Sequence, residues 1–186
     1  IPNGYMEEKV FLEFQAGLPM TPAEKLMELM GEAQNLYASY GITTVQDGMV
    51  GKPLFQLLKA AADLGILKLD IVGYVDIMTA SDLLEEEKNY AGQYDHHLKL
   101  GGFKIFLDGS PQGKTAWMLE PYEGEKEYRG YPIHSNEKLR EYIALSLDKG
   151  QQLLAHCNGD AAAEQYISQF EKELENRIGS DLAGKV

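Results

Sequence analysis

The stretch Gly101-Gly-Phe-Lys-Ile-Phe-Leu-Asp-Gly109 has the apolar alternation of a buried β-strand, yet it contains a lysine. Side chains alternate between the two faces of a strand, with Lys104, Phe106 and Asp108 on one face and Phe103, Ile105 and Leu107 on the other. Burying an unpaired ammonium group is costly, so such a lysine is usually paired, has a lowered pKa or is chemically converted. The alternative is a lysine near a strand end whose ammonium group reaches water.

A second strand with a polar end follows at 152–158, where an apolar run finishes in His156 and turns on Asn158-Gly159. Asp160 then predicts the N-cap of a helix over 161–174. A single histidine is more often a satisfied core residue than a metal ligand. Two candidate ligands, Lys104 and His156, at the ends of neighbouring strands favour a ligand role.

The composition is that of an ordinary globular protein, and the net charge argues against two classes of partner. The 186 residues are 44% hydrophobic and 25% charged, which predicts one folded unit. A net charge of −12 argues against a nucleic-acid backbone or an anionic membrane as partner. The single cysteine, Cys157, and the lack of a signal pattern or a long apolar run predict a cytoplasmic protein. The first residue is Ile1, which suggests an excised or processed piece.

Strands and helices alternate along the chain. Thr21-Pro22-Ala23-Glu24 predicts a capped helix that ends at Gly41. A strand at 42–48 should place Gln46 and Asp47 at its carboxyl end. The remaining predicted elements are a helix at 53–64, a strand at 69–76, an acidic helix at 79–90 and a helix from Ser135 to Gly150.

Four strands alternating with helices predict a parallel sheet made of right-handed βαβ units. The sheet is either open and doubly wound or part of a (β/α)₈ barrel. In both, ligands gather at the carboxyl ends of the strands. The polar residues predicted there are Gln46, Asp47, Asp76, Lys104, Asp108, His156 and Asn158.

The connection from Gly109 to His134 is long enough to be a lid or a binding loop. Its aromatic residues either line an apolar substrate pocket or pack the loop onto the barrel rim; they are Trp117, Tyr122, Tyr128 and Tyr131. The loop opens with a P-loop-like sequence, 109–115, which is one residue short and contains Pro111, a residue without an amide to donate. A nucleotide binder is therefore a weak hypothesis. His96-His97 and Glu85-Glu86-Glu87 are expected at the surface.

Three segments together resemble a known family: Gly41-Ile-Thr-Thr-Val-Gln-Asp-Gly48, Phe103-Lys-Ile-Phe-Leu-Asp-Gly-Ser110 and His156-Cys-Asn-Gly-Asp160. They resemble the middle of the amidohydrolase superfamily, closest to the amidohydrolase family 3 branch that includes N-substituted formamide deformylases. The resemblance spans nearly the whole chain. It implies an α/β fold, a partial (β/α)₈ TIM barrel of about four βα units, equivalent to strands two to five, with residues 1–186 as a single partial domain.

The resemblance also implies site residues. Lys104 would be the carboxylated lysine that bridges two metals in many members, and His156 the metal-binding histidine of the fifth strand. Zinc is the expected metal, as one or two ions, because imidazole and carboxylate-type oxygen suit it. Asp108, Trp117 and Asn158 are candidates for the substrate pocket, and Cys157 is expected to pack. The catalytic base and the other histidine ligands of the family have no counterpart in this sequence.

The implied reaction is the attack of metal-activated water on an amide, N-formyl or cyclic amide substrate. We expect the parent protein to be an enzyme and this chain alone to be inactive. A half-barrel exposes sheet edges and strand faces, so it should form a homodimer or aggregate. The competing hypothesis is a non-catalytic half-barrel that binds a partner or a small molecule.

Overall fold

A computed structural model describes residues 21–183 together with residues 4, 6, 11, 14 and 17–19, and it describes side chains as far as residue 179. Four strands lie in this part of the chain: β1 Thr44–Val50, β2 Asp70–Asp76, β3 Leu98–Phe106 and β4 Leu153–His156. The α-helices are α1 Ala23–Ser39, α2 Lys52–Asp63, α3 Leu83–Glu86, α4 Asn136–Asp148 and α5 Asp160–Ala183. A 3₁₀-helix, Pro111–Gly113, lies in the long connection.

The strands form one parallel sheet in the order β1-β2-β3-β4. A doubly wound sheet reverses its strand order at a switch point, and this order does not reverse. The strands and their intervening helices instead form a curled half of a (β/α)₈ barrel. The expected partial TIM barrel is confirmed.

The core lies between the sheet and the helices. Phe103, Ile105 and Leu107 are fully buried there, in one cluster with Phe55 of α2 and Ile143 of α4. The opposite, inner face of the sheet is only half-covered; its half-buried residues include Val72, Tyr74, Lys104, Phe106 and Leu154. The predicted alternation of β3 is therefore confirmed.

The predicted start of α1 is wrong. The helix begins at Ala23, and its N-cap residue is Pro22, with no side-chain cap hydrogen bond. Pro22 has an extended ψ of 141° and lies outside the helix, so Thr21 is one residue too early to cap it. By contrast, the predicted cap of α4 is confirmed, because the Ser135 hydroxyl accepts a hydrogen bond from the amide of Lys138.

The predicted end of β1 is also wrong. The strand continues to Val50, so Gln46 and Asp47 lie within it and not at its carboxyl end. The pairing with β2 shifts between Asp47 and Val50, and the Asp47 carboxylate accepts the amide of Met49 across this irregularity. The strand can therefore pass through Gly48, which sequence alone suggested as a turn.

Two helices differ in length from the prediction. The acidic helix expected at 79–90 is one turn, Leu83–Glu86, whose two leucines are buried, and it ends at Glu87, which has the non-helical angles φ −114° and ψ 53°. Glu85 and Glu86 are exposed as expected, but Glu87 is half-buried and pairs with Lys59 at 2.8 Å. The last helix runs to Ala183, because no proline interrupts its sequence.

Among the described residues, no helix has both the length and the apolar character needed to cross a membrane.

Candidate functional site

Lys104 and His156 lie on neighbouring strands at the carboxyl end of the sheet. The register pairs Lys104 with Leu154 and Phe106 with His156, so the two candidate ligands are offset by two residues. Ordinary strand spacing and rise place their Cα atoms about 8 Å apart. Residues aligned in this register face the same side, so both side chains lie on the inner face of the half-barrel.

The ring of Phe106 contacts both of them. The Lys104 ammonium lies 5.0 Å from the centroid of this ring. The His156 imidazole lies on the same ring, with 4.8 Å between the two centroids. The aromatic ring provides an apolar surface between two polar groups at the end of β3 and β4.

The Lys104 ammonium has a cation–π contact with the Phe106 ring, but burial disfavours its charge. Within the described part of the chain, no carboxylate lies within ion-pair distance of its ammonium group. Burial lowers the pKa of Lys104 below its ordinary value, and Cys157, when ionised, opposes that shift. Burial raises the pKa of the Cys157 thiol, so this thiol favours the neutral form and packs against the core as expected. Lys104 is half-buried and has no acidic partner among the described residues, and its role as a metal ligand stays a prediction.

Asp108 follows β3 and is almost completely buried, with 2% of its surface exposed. Its Oδ1 accepts the amide of Asn158 at 2.8 Å. Its Oδ2 accepts the amides of Trp117 at 2.9 Å and Gly159 at 2.6 Å. The carboxylate therefore joins the end of β3 to the long connection and to the turn after His156. Its expected contact with substrate stays a prediction.

Asn158 and Trp117, the other two residues assigned to a substrate pocket, also take part in this junction. The Asn158 side-chain amide donates to the carbonyl of Gly109 at 2.7 Å. The Trp117 ring is half-buried against the core, and it lines a cavity of about 410 Å³ with Ala161 and Gln165 of α5. Their roles in substrate binding stay predictions.

The connection 109–134 is packed against the rim of the half-barrel. A Cβ atom on Gly159 would overlap the carbonyl group of Trp117, and one on Gly130 would overlap that of Ala116. The Tyr122 hydroxyl donates to the Ala116 carbonyl at 2.8 Å, and the Tyr122 ring stacks on Tyr128. The close approach of Gly159 to Trp117 joins the connection to the rim, whereas the contacts of Tyr122 and Tyr128 lie within the connection itself.

His134 is a buried titratable residue that sequence reasoning treated only as the end of the loop. Its ring lies edge-on to Tyr142, and its Nε2 is buried without a hydrogen-bond partner. Burial lowers the pKa of His134, and the charge of Lys138 lowers it further, while the Phe106 carbonyl and Asp76 act in the opposite direction. In the sequence, the only feature that could have drawn attention to His134 is its position directly before Ser135, the N-cap residue of α4.

The remaining histidines lie at the other end of the sheet. His96 and His97 are exposed, as expected, and the Nδ1 of His97 lies 2.8 Å from a carboxylate oxygen of Asp70. Asp70 begins β2, so this pair lies at the amino end of the strands, away from Lys104 and His156.

Lys104 and His156 fit part of a metal site. A lysine that is buried without an anion can become an anionic oxygen ligand by carboxylation, and the His156 imidazole has no hydrogen bond in the described part of the structure. The set is incomplete. A protein zinc site has at least three protein ligands, and the described residues contain no group of three or more His, Cys, Asp or Glu able to hold a metal ion.

The parallel half-barrel, with polar residues of neighbouring strands meeting at its carboxyl end, defines a segment of a (β/α)₈-barrel protein with its candidate site at that end. The chain belongs to the Amidohydrolase family, whose model matches residues 2–181. This finding confirms the resemblance carried by the three sequence segments.

Two curated relatives match about half of the chain. The Bacillus subtilis (strain 168) protein YtcJ, described as an amidohydrolase, is 33% identical over 93 residues, which are 50% of this chain and 17% of YtcJ. The Arabidopsis thaliana protein LONG AFTER FAR-RED 3 is 29% identical over 98 residues, or 53% of this chain and 17% of that protein. Each match thus spans less than a fifth of the relative.

Two solved structures share the fold. A metal-dependent hydrolase of uncharacterised function from Pyrococcus furiosus superposes with a TM-score of 0.75 at 24% identity, covering 89% of this chain and 36% of that one. A second, from Pyrococcus horikoshii OT3, gives a TM-score of 0.74 at 22% identity, covering 90% of this chain and 35% of that one. The chain therefore spans about a third of the length of these two proteins.

Proposed function

We propose that this chain is the central part of a metal-dependent hydrolase that cleaves a carbon–nitrogen bond of an amide, N-formyl or cyclic amide substrate. Family membership and the metal-dependent hydrolases that share the fold support a hydrolase. The observation that carries the proposal is the half-buried, unpaired Lys104 two residues out of register from His156 on the neighbouring strand.

Lys104 would act as a carboxylated metal ligand. The ammonium group first loses one proton to solvent. The neutral amine then attacks the carbon of CO₂, a nitrogen–carbon bond forms as one carbon–oxygen π bond breaks, and a second proton leaves to solvent, so that the cation becomes a carbamate anion. The lowered pKa of Lys104 favours this step, because it increases the fraction of neutral amine. The product is an oxygen ligand that no longer requires a counter-anion from the protein.

His156 would bind the same metal centre through its imidazole. Zinc suits this combination of nitrogen and carboxylate-type oxygen, as one ion or as two bridged by the carbamate. When bound, such a metal lowers the pKa of a water molecule and polarises the carbonyl group of the substrate. Asp108, Trp117 and Asn158 would contribute to the pocket for a small-molecule substrate.

The test is carbamate formation at one lysine. The chain is incubated with ¹³C-bicarbonate and ZnCl₂, and the carbamate carbon is detected by ¹³C NMR. We expect a signal that disappears in Lys104→Met and persists in Lys99→Met, a matched change of another half-buried lysine of β3. A signal that persists in Lys104→Met would assign the carbamate elsewhere and contradict the proposed role.

Catalysis is tested by a panel of N-formyl amines, amides and cyclic amides. We expect no turnover by residues 1–186 alone, because two candidate ligands fall short of a complete site. A longer protein that contains this segment should hydrolyse at least one class, and His156→Ala should abolish that activity. Turnover that survives His156→Ala would instead favour the non-catalytic half-barrel for this part of the protein.

A further inference from the structure

We propose that Asp108 is a positioning residue that holds His156 in place relative to Lys104. The inference rests on the proposed metal site and adds a residue to it. Asp108 lies two residues beyond the end of β3, and Asn158 and Gly159, whose amides it accepts, follow directly after β4. It therefore joins the ends of the two strands that carry the candidate ligands.

The β3–β4 junction has few other supports. In the described structure β4 has only four residues and pairs with β3 alone. Beyond the last paired residues, the amide of Leu107 donates to the His156 carbonyl at 3.0 Å. The Asn158 side chain adds its bond to the Gly109 carbonyl at 2.7 Å. The Asp108 carboxylate supplies most of the remaining bonds at this junction.

The junction requires a carboxylate. Two of the three amides that Asp108 accepts converge on one oxygen and the third reaches the other oxygen, so both atoms must be acceptors. An asparagine has one acceptor oxygen and one donor NH₂ group. In either orientation, Asp108→Asn points an N–H group at a buried N–H group and leaves at least one backbone donor unpaired, which is costly.

The expected consequence is a displaced His156. If the turn 157–159 moves away from Asp108, the last residue of β4 loses its register with Phe106, and its imidazole no longer faces the metal that Lys104 binds. Partners that orient metal ligands typically change metal affinity by about 10- to 100-fold when they are substituted. We expect Asp108→Asn to raise the dissociation constant for Co²⁺ by about tenfold or more.

The experiment titrates the chain with CoCl₂ in bicarbonate buffer and follows the paramagnetic broadening of the His156 ring protons by NMR. All proteins carry His96→Gln and His97→Gln, which remove the two exposed histidines. His134 and His156 are then the only remaining histidines. Tyr40 lies between α1 and β1, on the side of the amino end of the sheet, and its ring protons serve as the reference for non-specific broadening.

Gln34→Leu is the matched control. Gln34 is also buried, with 4% of its surface exposed, and it also holds several backbone groups. Its Oε1 accepts the amides of Lys68 and Leu69, just before β2, and its Nε2 donates to the Met30 and Ile66 carbonyls. These bonds lie at the amino end of the sheet. Gln34→Leu should therefore lower the unfolding temperature without changing the Co²⁺ affinity.

A general loss of stability would affect both variants alike, whereas a positioning role predicts weaker Co²⁺ binding only in Asp108→Asn. Equal Co²⁺ affinities for the two variants would overturn the inference. Should Asp108→Asn not fold, Asp108→Glu keeps two acceptor oxygens but moves them one methylene away from the three amides, and the inference then requires weaker Co²⁺ binding than in Gln34→Leu.

The proposed function has its own readout in the same series. His156→Ala should abolish Co²⁺-dependent carbamate formation at Lys104, detected by ¹³C NMR. If carbamate formation survives His156→Ala, or if neither this chain nor a longer protein that contains it binds Co²⁺, the proposed metal site fails and the role of Asp108 fails with it. If those two controls behave as expected and Asp108→Asn binds like Gln34→Leu, only the role of Asp108 is refuted.

Discussion

The Lys104 ammonium lies half-buried on the inner face of β3, next to an aromatic ring and with no carboxylate at ion-pair distance among the described residues. An uncompensated charge in such a place lowers the stability of the folded state. Residues kept for chemistry often have this property, and their replacement commonly stabilises a protein. The lysine should therefore be unfavourable for folding in the absence of metal and CO₂.

Lys104→Met tests this expectation. In metal-free, CO₂-depleted buffer we expect the free energy of unfolding to rise by about 1 kcal/mol, measured by urea denaturation. Lys59→Met is the control, because Lys59 pairs with the half-buried Glu87 at 2.8 Å, and its loss should lower stability. A decrease for Lys104→Met like that of Lys59→Met would mean that Lys104 already has a stabilising partner.

His134 should make the stability of the fold depend on pH. Burial lowers its pKa in the folded state, so the unfolded chain binds the proton more readily. The free energy of unfolding should accordingly fall as pH decreases below about 6.5, the ordinary histidine pKa, and level off below the folded-state pKa. Above that window the residue has no effect of this kind.

The measurement is urea unfolding at pH 7.5 and 5.5 for the parent chain and for His134→Gln. We expect the parent to lose more stability on acidification than the variant does. The groups that face the imidazole from neighbouring elements are Lys138 of α4 and Asp76 of β2, together with the carbonyl of Phe106. Identical pH dependence in both proteins would show that burial does not act on His134 in this way.

At the scale of elements, the sequence predicted what local patterns encode. Apolar alternation identified β3, and Ser135 identified the start of α4, because each depends on residues close in the chain. The role of Asp108 could not be predicted, since its partners are backbone amides 9, 50 and 51 residues away, and a backbone amide leaves no mark in a sequence. Lys104 and His156 were recognised as candidates, but their offset of two residues is a property of the sheet register.

The turn between β4 and α5 requires a glycine because of a close approach. A Cβ atom on Gly159 would overlap the Trp117 carbonyl and lie 2.8 Å from the Trp117 nitrogen. We expect Gly159→Ala to lower the free energy of unfolding by about 3 kcal/mol, because backbone must move against backbone. Gly31→Ala in α1, where nothing lies within 4 Å of the added atom, should raise it by about 0.5–1 kcal/mol. Equal changes in the free energy of unfolding for Gly159→Ala and Gly31→Ala, measured by chemical denaturation, would contradict the close approach of Gly159 to Trp117.

The two helix starts make a second matched pair. Ser135→Ala removes the hydroxyl that accepts the Lys138 amide, and we expect a loss of about 1 kcal/mol. Thr21→Ala should change stability by less than about 0.5 kcal/mol, because α1 has no side-chain cap. A large loss of stability for Thr21→Ala in thermal or urea unfolding would mean that Thr21 does cap α1, against what the structure shows.

At the scale of the molecule, two apolar surfaces are uncovered within the part of the chain that the structure describes. The inner face of the parallel sheet is half-exposed, although such sheets are normally covered on both faces. On α5, Ile167 and Ile178 are 66% and 60% exposed, and they line an apolar groove with Tyr166, Phe170 and Leu174. Surfaces of this kind lower their free energy by contact with other apolar surfaces.

Residues 1–186 alone should therefore self-associate, and sedimentation velocity over a range of concentrations should detect a dimer. Burying an isoleucine contributes about 1.5–3 kcal/mol, so Ile167→Lys combined with Ile178→Lys should raise the dimer dissociation constant by at least about tenfold. The two lysines reduce a net charge of −12, which weakens the repulsion between copies, so a weaker dimer must reflect the lost apolar surface.

Leu64→Lys, at an exposed position after α2, is the control and should leave the dissociation constant unchanged. A monomer at every concentration, or a dimer indifferent to the α5 substitutions, would show that this groove is not a contact surface between copies.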